Sequence, residues 1–233
     1  MKIELLAYTP EPEELCALSA ATSFREKGAS QRKEKMTKDK ASEILNKVMS
    51  YGHVSVIEHA CFTFSIEEVS RAFTHQLVRH RIASYTQQSQ RYVEISTDND
   101  SWYVVPPTVD TEEKRKVFAE RMRTIAQWYQ DSIKEGMSAE DARFYLPNAC
   151  KTNIVVTMNA RELLHFFNLR CCNRAQWEIR DAAVEMLRLA KKAAPAIFAK
   201  AGPSCVSKGF CPEGDVKPES CNIVEIRKKF MAM

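Results

Sequence analysis

Residues Ala60 to Leu77 read ACFTFSIEEVSRAFTHQL, and their hydrophobic period changes partway along. From Ala60 to Ile66 the residues alternate in steps of two and are rich in β-formers, the pattern of a strand. Val69, Ala72, Phe73 and Leu77 then recur at helical spacing, so a helix is expected to run into Arg79, His80 and Arg81, which sit near its end or just beyond it.

The mixture of strand and helix continues upstream. Lys2 to Tyr8 is short and apolar enough for an opening strand, stopped by Pro10 and Pro12, with a helix from about Glu13. Arg25 to Lys40 carries seven Lys/Arg and three acidic residues with Gly28 and Ser30 among them, which reads as a solvated, mobile loop. Ile44, Leu45 and Val48 mark an amphipathic helix from Ala41 to Tyr51, ended by Gly52.

Downstream, Asp110 with Glu113 resembles a capping box, and Phe118, Met122, Ile125, Tyr129 and Ile133 form one helical face up to Gly136. Ser138 with Asp141 starts a short helix that carries Arg143 and is closed by Pro147. Thr152 to Thr157 is β-branched and strand-like, Asn159 to Leu169 is helical, and Ala175 to Phe198 forms one long helix with Ile179, Ala182, Ala183, Met186 and Ala190 inward. This succession lacks the βαβ rhythm of a doubly wound sheet, and neither GxGxxG nor a P-loop occurs. The expected fold is therefore α+β, a mixed single domain over 1–233 with a central sheet flanked by helices, not a Rossmann fold. A cysteine-containing tail from about 202–233 completes it.

Hydrophobic residues make up 45% of the chain and charged residues 27%, the balance of a folded globular protein rather than a disordered or membrane one. The N-terminus shows no signal-peptide h-region and no run approaches transmembrane length, so the expected location is the cytoplasm. Eight cysteines then read as reduced thiols or metal ligands rather than a disulfide framework. The spacings of Cys171, Cys172, Cys205, Cys211 and Cys221 match no common zinc module, and no metal is assigned. Glu58 and His59 offer only two potential ligands and are read as a local hydrogen-bonding pair.

The densest chemistry lies between Arg79 and Arg91, where RHRIASYTQQSQR places three arginines, a histidine, two serines and three glutamines in thirteen residues. Arginine forks match phosphate and carboxylate geometry and keep their charge at any working pH, so the segment suits an anionic ligand. Nucleic acid is a poor candidate, because the net charge is only +4 and the arginines are concentrated rather than spread over a broad face with stacking aromatics. Ser89 has no base fixed beside it by sequence and is read as a hydroxyl for a phosphate, not as a nucleophile.

Arg-His-Arg followed after seven residues by Ser89 resembles the signature of the flavin-dependent thymidylate synthases. Other segments resemble the same family in order along the chain: Gly52 to His59 (GHVSVIEH), Asp141-Ala142-Arg143 with Leu146-Pro147, Asn159-Ala160-Arg161 leading to Phe166-Phe167-Asn168-Leu169-Arg170, and Ala175 to Ile179 (AQWEI). The resemblance implies an FAD enzyme that methylates dUMP, taking carbon from methylenetetrahydrofolate and electrons from NADPH. It implies a homotetramer with active sites at subunit interfaces, with no nucleic-acid or membrane partner. It places His53, Ser55, Arg79, His80, Arg81, Gln87, Asn159, Arg161 and His165 on the flavin. Gln76, Arg79, Gln87, Gln88, Ser89, Gln90, Arg91, Arg143 and Arg170 fall where the family holds dUMP, with Arg170 as the catalytic residue. Three positions depart from the commoner pattern: Gln87 for glutamate, His165 for asparagine and Arg174 for histidine. The first keeps hydrogen bonding but loses any acid–base role.

Overall fold

The structure is a computed structural model that describes residues 1–97, 99–219 and 221–233. β1 (Lys2–Tyr8) leads into α1 (Pro12–Thr22), and α2 (Ala29–Arg32) and a 3-10 turn (Lys33–Lys35) precede α3 (Lys38–Ser50). A second 3-10 turn, Val54–His59, enters β2 (Cys61–Ser70), which passes without a linker into α4 (Arg71–Leu77). There follow β3 (Ala83–Gln87), α5 (Glu112–Lys134), α6 (Ala139–Ala142), β4 (Lys151–Asn159), α7 (Ala160–Arg170) and α8 (Trp177–Ala193). α9 (Pro195–Phe198), α10 (Ser204–Ser207) and α11 (Ile223–Met231) come last. The strands pair antiparallel in the order β1-β2-β4-β3, so the fold is α+β and not a parallel doubly wound sheet. Among the described residues no helix is long and apolar enough to cross a membrane.

Strand β2 shows how the sequence pattern becomes structure. Phe62, Phe64 and Ile66 are fully buried at alternate positions, but the next buried residue is Val69. Glu68 lies between them with φ at 57°, in the left-handed region, and its N–H donates to the Asn153 Oδ1 at 3.0 Å. One extra residue here shifts the inward face from even to odd positions, as a β-bulge does. The helical pattern seen from Val69 therefore begins late. Ser70 ends the strand and caps α4, its Oγ accepting from the Phe73 N–H at 3.0 Å. α4 also stops at Leu77, short of the Arg79 to Arg81 segment.

Contacts gather the chain into two compact units. One comprises 3–65, 80–85 and 156–233. Its core is aromatic: Phe62 and Phe167 pack edge-on against Phe198 at 5.3 and 6.0 Å, and Phe166 meets Phe167 at 5.7 Å. α8 buries the expected Ile179, Ala182, Ala183, Met186 and Ala190 completely. It ends at Ala193, however, because the residue before Pro195 is pushed out of helical geometry, and Ala194 sits at φ −146°, ψ 73°. The helix expected through Phe198 is thus two helices. The carboxylate of Glu13, only 8% exposed, accepts from the backbone N–H groups of Ala196 (2.5 Å) and Ile197 (3.3 Å), so the acid of α1 caps the start of α9. The expected loop from Arg25 to Lys40 is partly ordered into α2, the turn at Lys33–Lys35 and the start of α3, where the Thr37 hydroxyl accepts from the Lys40 N–H.

The other unit comprises 1–2, 66–79 and 86–155. Trp102, Tyr103, Met122, Ala126 and Cys150 form its buried cluster, with Tyr103 edge-on to Trp102 at 5.2 Å and Phe118 at 5.7 Å. α5 is capped by Thr111, whose hydroxyl accepts from the Lys114 N–H, one residue beyond the expected Asp110.

Candidate functional site

The sequence-derived residues fall into two sets, one in each unit. In the unit that contains 66–79 and 86–155, Gln76 lies on α4 and the exposed Arg79 just beyond it. Gln87 ends β3, where its Nε2 donates to the hydroxyls of Thr74 (3.2 Å) and Thr152 (3.3 Å). The neutral amide suits that donor role, whereas a carboxylate would need both hydroxyls turned to donate. Gln88 accepts from the Asn153 amide at 3.2 Å, the Ser89 hydroxyl accepts from the Arg91 N–H at 3.1 Å, and the buried Gln90 amide faces the Cys150 sulfur at 3.5 Å.

Two guanidiniums in this set share one organiser. Arg91 pairs through Nε with the Glu140 carboxylate at 2.9 Å, and Arg143 Nε donates to the Glu140 backbone carbonyl at 2.8 Å. Glu140 was not singled out by sequence. Its only signal is its place in the α6 segment between the short-helix start and Arg143. Both arginines are thus tied to α6, Arg91 through a carboxylate and Arg143 through a backbone carbonyl.

In the unit that contains 3–65, 80–85 and 156–233, His53 and Ser55 line a cavity of about 740 Å3 with Phe24, Ile44, Val48 and Tyr51. Ser19, Ser23, Arg25, Glu43, Lys47 and His59 complete a mixed lining, and the volume lies in the range of roughly 300–1,000 Å3 of a small-molecule site. Arg81 is exposed, Asn159 caps α7 by accepting from the Glu162 N–H at 2.9 Å, and Arg161 pairs with Glu58. Glu58 therefore anchors an arginine, a partner that sequence alone did not provide.

His80 is turned inward. It is 4% exposed, edge-on to Phe166 at 4.9 Å and 5.7 Å from the exposed His165 ring, while the Tyr85 hydroxyl donates to its carbonyl at 2.6 Å. Arg170, the last residue of α7, donates from Nε to His80 Nε2 at 3.1 Å. An acceptor at Nε2 puts the imidazole proton on Nδ1, which lies 3.4 Å from Glu162 Oε1 but outside hydrogen-bonding geometry. The Glu162–His80 contact is not an ion pair, because burial, with Arg170 and His165 beside it, pushes His80 down to about 4. Burial raises the Glu162 carboxyl and lowers Arg170, although a guanidinium stays charged across the working range.

A pH dependence of stability follows. Between about 4 and the ordinary 6.5 the unfolded chain binds a proton at residue 80 that the folded protein refuses. The stability due to neutral His80 is complete above about pH 6.5 and is lost as pH falls toward 4. Protonation of Glu162, whose carboxyl is raised, offsets part of that loss. Urea unfolding at pH 7.5 and pH 5 should therefore show a drop about 1–2 kcal/mol larger in the native protein than in His80→Gln. Equal drops would mean that His80 titrates normally.

The eight cysteines are unbridged. Cys172, Cys205, Cys211 and Cys221 line one cavity of about 280 Å3 beside Arg170, and burial raises the Cys205 thiol. Among the described residues no group of three or more His, Cys, Asp or Glu side chains is arranged to hold a metal ion. Arg174 pairs with Glu213 from the tail.

The family model described as "Thymidylate synthase complementing protein" matches residues 4–196. A protein of Geobacter sulfurreducens named flavin-dependent thymidylate synthase is 53% identical over 235 residues, covering 100% of this chain and 99% of that protein. Proteins of the same name from Clostridium tetani and Pyrococcus abyssi are 48% and 45% identical, covering 92% and 95% of this chain and 91% and 93% of their own lengths.

Proposed function

This chain belongs to the flavin-dependent thymidylate synthases, enzymes that make dTMP with a flavin, and from that membership we propose that it methylates dUMP with FAD, methylenetetrahydrofolate and NADPH. What carries the proposal is the coincidence of full-length similarity with a buried His80 that fixes Arg170 through Nε2 at 3.1 Å. The whole chain is assigned to one thymidylate synthase domain, working as a homotetramer with active sites at subunit interfaces.

The residues present fit such a cofactor. The cavity of about 740 Å3 offers Phe24, Ile44, Val48 and Tyr51 to a flat ring, with His53 and Ser55 among its polar groups. Arg79 and Arg81, both exposed and flanking the buried His80 in sequence, suit a pyrophosphate, and Asn159, Arg161, His165 and Gln87 complete the flavin set. When bound, FAD supplies the electrons that carry the transferred one-carbon unit to a methyl group, and NADPH restores them.

The chain's own share is orientation and electrostatics. Arg91 and Arg143 hold the nucleotide phosphate, with Ser89 and the amides of Gln76, Gln87, Gln88 and Gln90 around the nucleotide. Arg170 is set against the N3 and carbonyl edge of uracil, where its positive charge stabilises the N3-anionic form from which electron density is delocalised toward C5. His80, itself packed edge-on against Phe166, keeps that guanidinium in one orientation, so little reorganisation is needed when charge develops.

Arg79→Ala and Arg81→Ala test the assignment. Each removes charge-assisted hydrogen bonds of about 1.5–3 kcal/mol, so flavin retained through purification should fall in both. Full flavin occupancy in both variants, or no dTMP formed by yellow native protein given dUMP, methylenetetrahydrofolate and NADPH, overturns it.

A further inference from the structure

A third cavity, of about 430 Å3, lies against the segment 25–40 and is lined by Arg25, Lys27, Arg32, Lys35 and Lys40 with one acid, Glu43. The hydrogen bonds of these cations go to backbone carbonyls: Arg32 Nη1 to Ala21 O at 3.1 Å and Lys40 Nζ to Lys35 O at 3.3 Å. Arg25 lies over the ring of Phe24 at 5.4 Å. Among the described residues no carboxylate lies within ion-pair distance of any of the five.

Glu26, Glu34 and Asp39 are interspersed with these cations in the sequence, but the cavity lining itself holds five cations to one acid, an excess that favours an anionic occupant. A cavity of this size is comparable in width with the Debye length of about 10 Å at 0.1 M salt, so the five charges act together on whatever enters. Arg25, Glu43 and Ile44 line both this cavity and the one holding His53 and Ser55. The cavity assigned above to the flavin ring and the cationic one therefore share part of their lining. The complementary ligand for the cationic cavity carries several negative charges along a flexible chain.

We propose that the basic cavity holds the γ-linked glutamate tail of the folate co-substrate, a proposal that rests on folate being the carbon donor as argued above. Three of the five cations are lysines, point charges on flexible stems that suit single carboxylates spaced along a chain, whereas a phosphate is better matched by paired arginine forks. Arg32 and Lys40 are already tethered to backbone, which lowers the cost of ordering them around the tail. The segment read from sequence as a solvated loop then acquires a ligand.

The test uses the full-length, flavin-loaded protein and tetrahydrofolate carrying one or three glutamates, with affinity measured anaerobically by calorimetry. Methylenetetrahydrofolate of both lengths gives KM in parallel. The triglutamate should bind on the order of tenfold more tightly at low salt, the sum of two exposed charge pairs. The preference should shrink to within about twofold in Lys27→Ala/Lys35→Ala/Lys40→Ala and in 0.5 M KCl, with kcat on the monoglutamate unchanged. Equal affinity for the two lengths in the native protein, or a preference that survives in the triple variant, overturns the proposal. So does a rise in the KM for NADPH alone, which makes the coenzyme's 2′-phosphate the occupant. If a charge-dependent triglutamate preference is present but no dTMP forms, the catalytic assignment fails and the tail site stands.

Discussion

Arg170→Ala should lower dTMP formation by about two orders of magnitude or more, the scale seen when one preorganised electrostatic donor is removed. The guanidinium donates to His80 Nε2 from the C-terminal end of α7, where its charge also favours the helix dipole by about 0.3–1 kcal/mol. If that dipole and the histidine contact were its whole purpose, the variant would be less stable, with ordinary turnover in whatever folds. If Arg170 stabilises the N3 anion of uracil, the variant should fold, keep its flavin and lose turnover. Flavin content, melting temperature and dTMP formation measured on one preparation separate the two outcomes. Near-normal turnover at saturating dUMP would mean that another arginine activates the nucleotide.

Phe166→Ala should have the largest effect on stability. The side chain is fully buried, touches the Phe167 ring at 5.7 Å, and supports the His80 ring edge-on at 4.9 Å. Truncating such a phenylalanine costs about 3–5 kcal/mol through lost transfer energy and the cavity left behind. For a chain of this length that corresponds to a fall in Tm of roughly 10 °C. Phe166→Leu, which restores much of the volume, should recover more than half of it. Because Phe166 lies one helical turn before Arg170 and braces the histidine that Arg170 grips, the alanine variant should also turn over more slowly well below its Tm. Equal melting temperatures for the native protein and Phe166→Ala would show that the aromatic cluster does not carry this unit.

Local pattern was enough for most elements. Thr152 to Thr157 and the α8 face through Ala190 were legible from β-branched composition and from a helical period against a buried neighbour, whereas Lys2 to Tyr8, with no buried residue, was legible only as a short apolar run stopped by Pro10. β3 was not. Ser84, Thr86 and Gln87 look like loop chemistry, and the segment becomes a strand only by pairing with β4, far along the chain. The break at Ala194 was signalled by Pro195, yet the apolar period continues through Phe198 and hides it.

The site divides in the same way. Charged and amide residues were identifiable from composition and family resemblance, but the residues that orient them were not. Glu140 organises Arg91 and Arg143, and Glu162 faces His80 from the first turn of α7. Nothing local tells Glu162 that a histidine more than eighty positions earlier will be its neighbour. His80, read as a flavin ligand, keeps its ring inside the protein, so any contact it makes with cofactor is left to its backbone or an edge of the ring.

The cap that Glu13 places on α9 bears on how the chain is made. Residues near the two ends of the sequence meet there across more than 180 positions, in a unit whose last segment is 156–233. On the ribosome, the stretch 66–155 has emerged before that segment exists, so the apolar surface of the first 65 residues that packs on 156–233 waits uncovered until synthesis is nearly complete. Such long-range closure slows folding and prolongs exposure to aggregation. Nascent chains stalled before Pro195 should therefore be the species that chaperones hold longest.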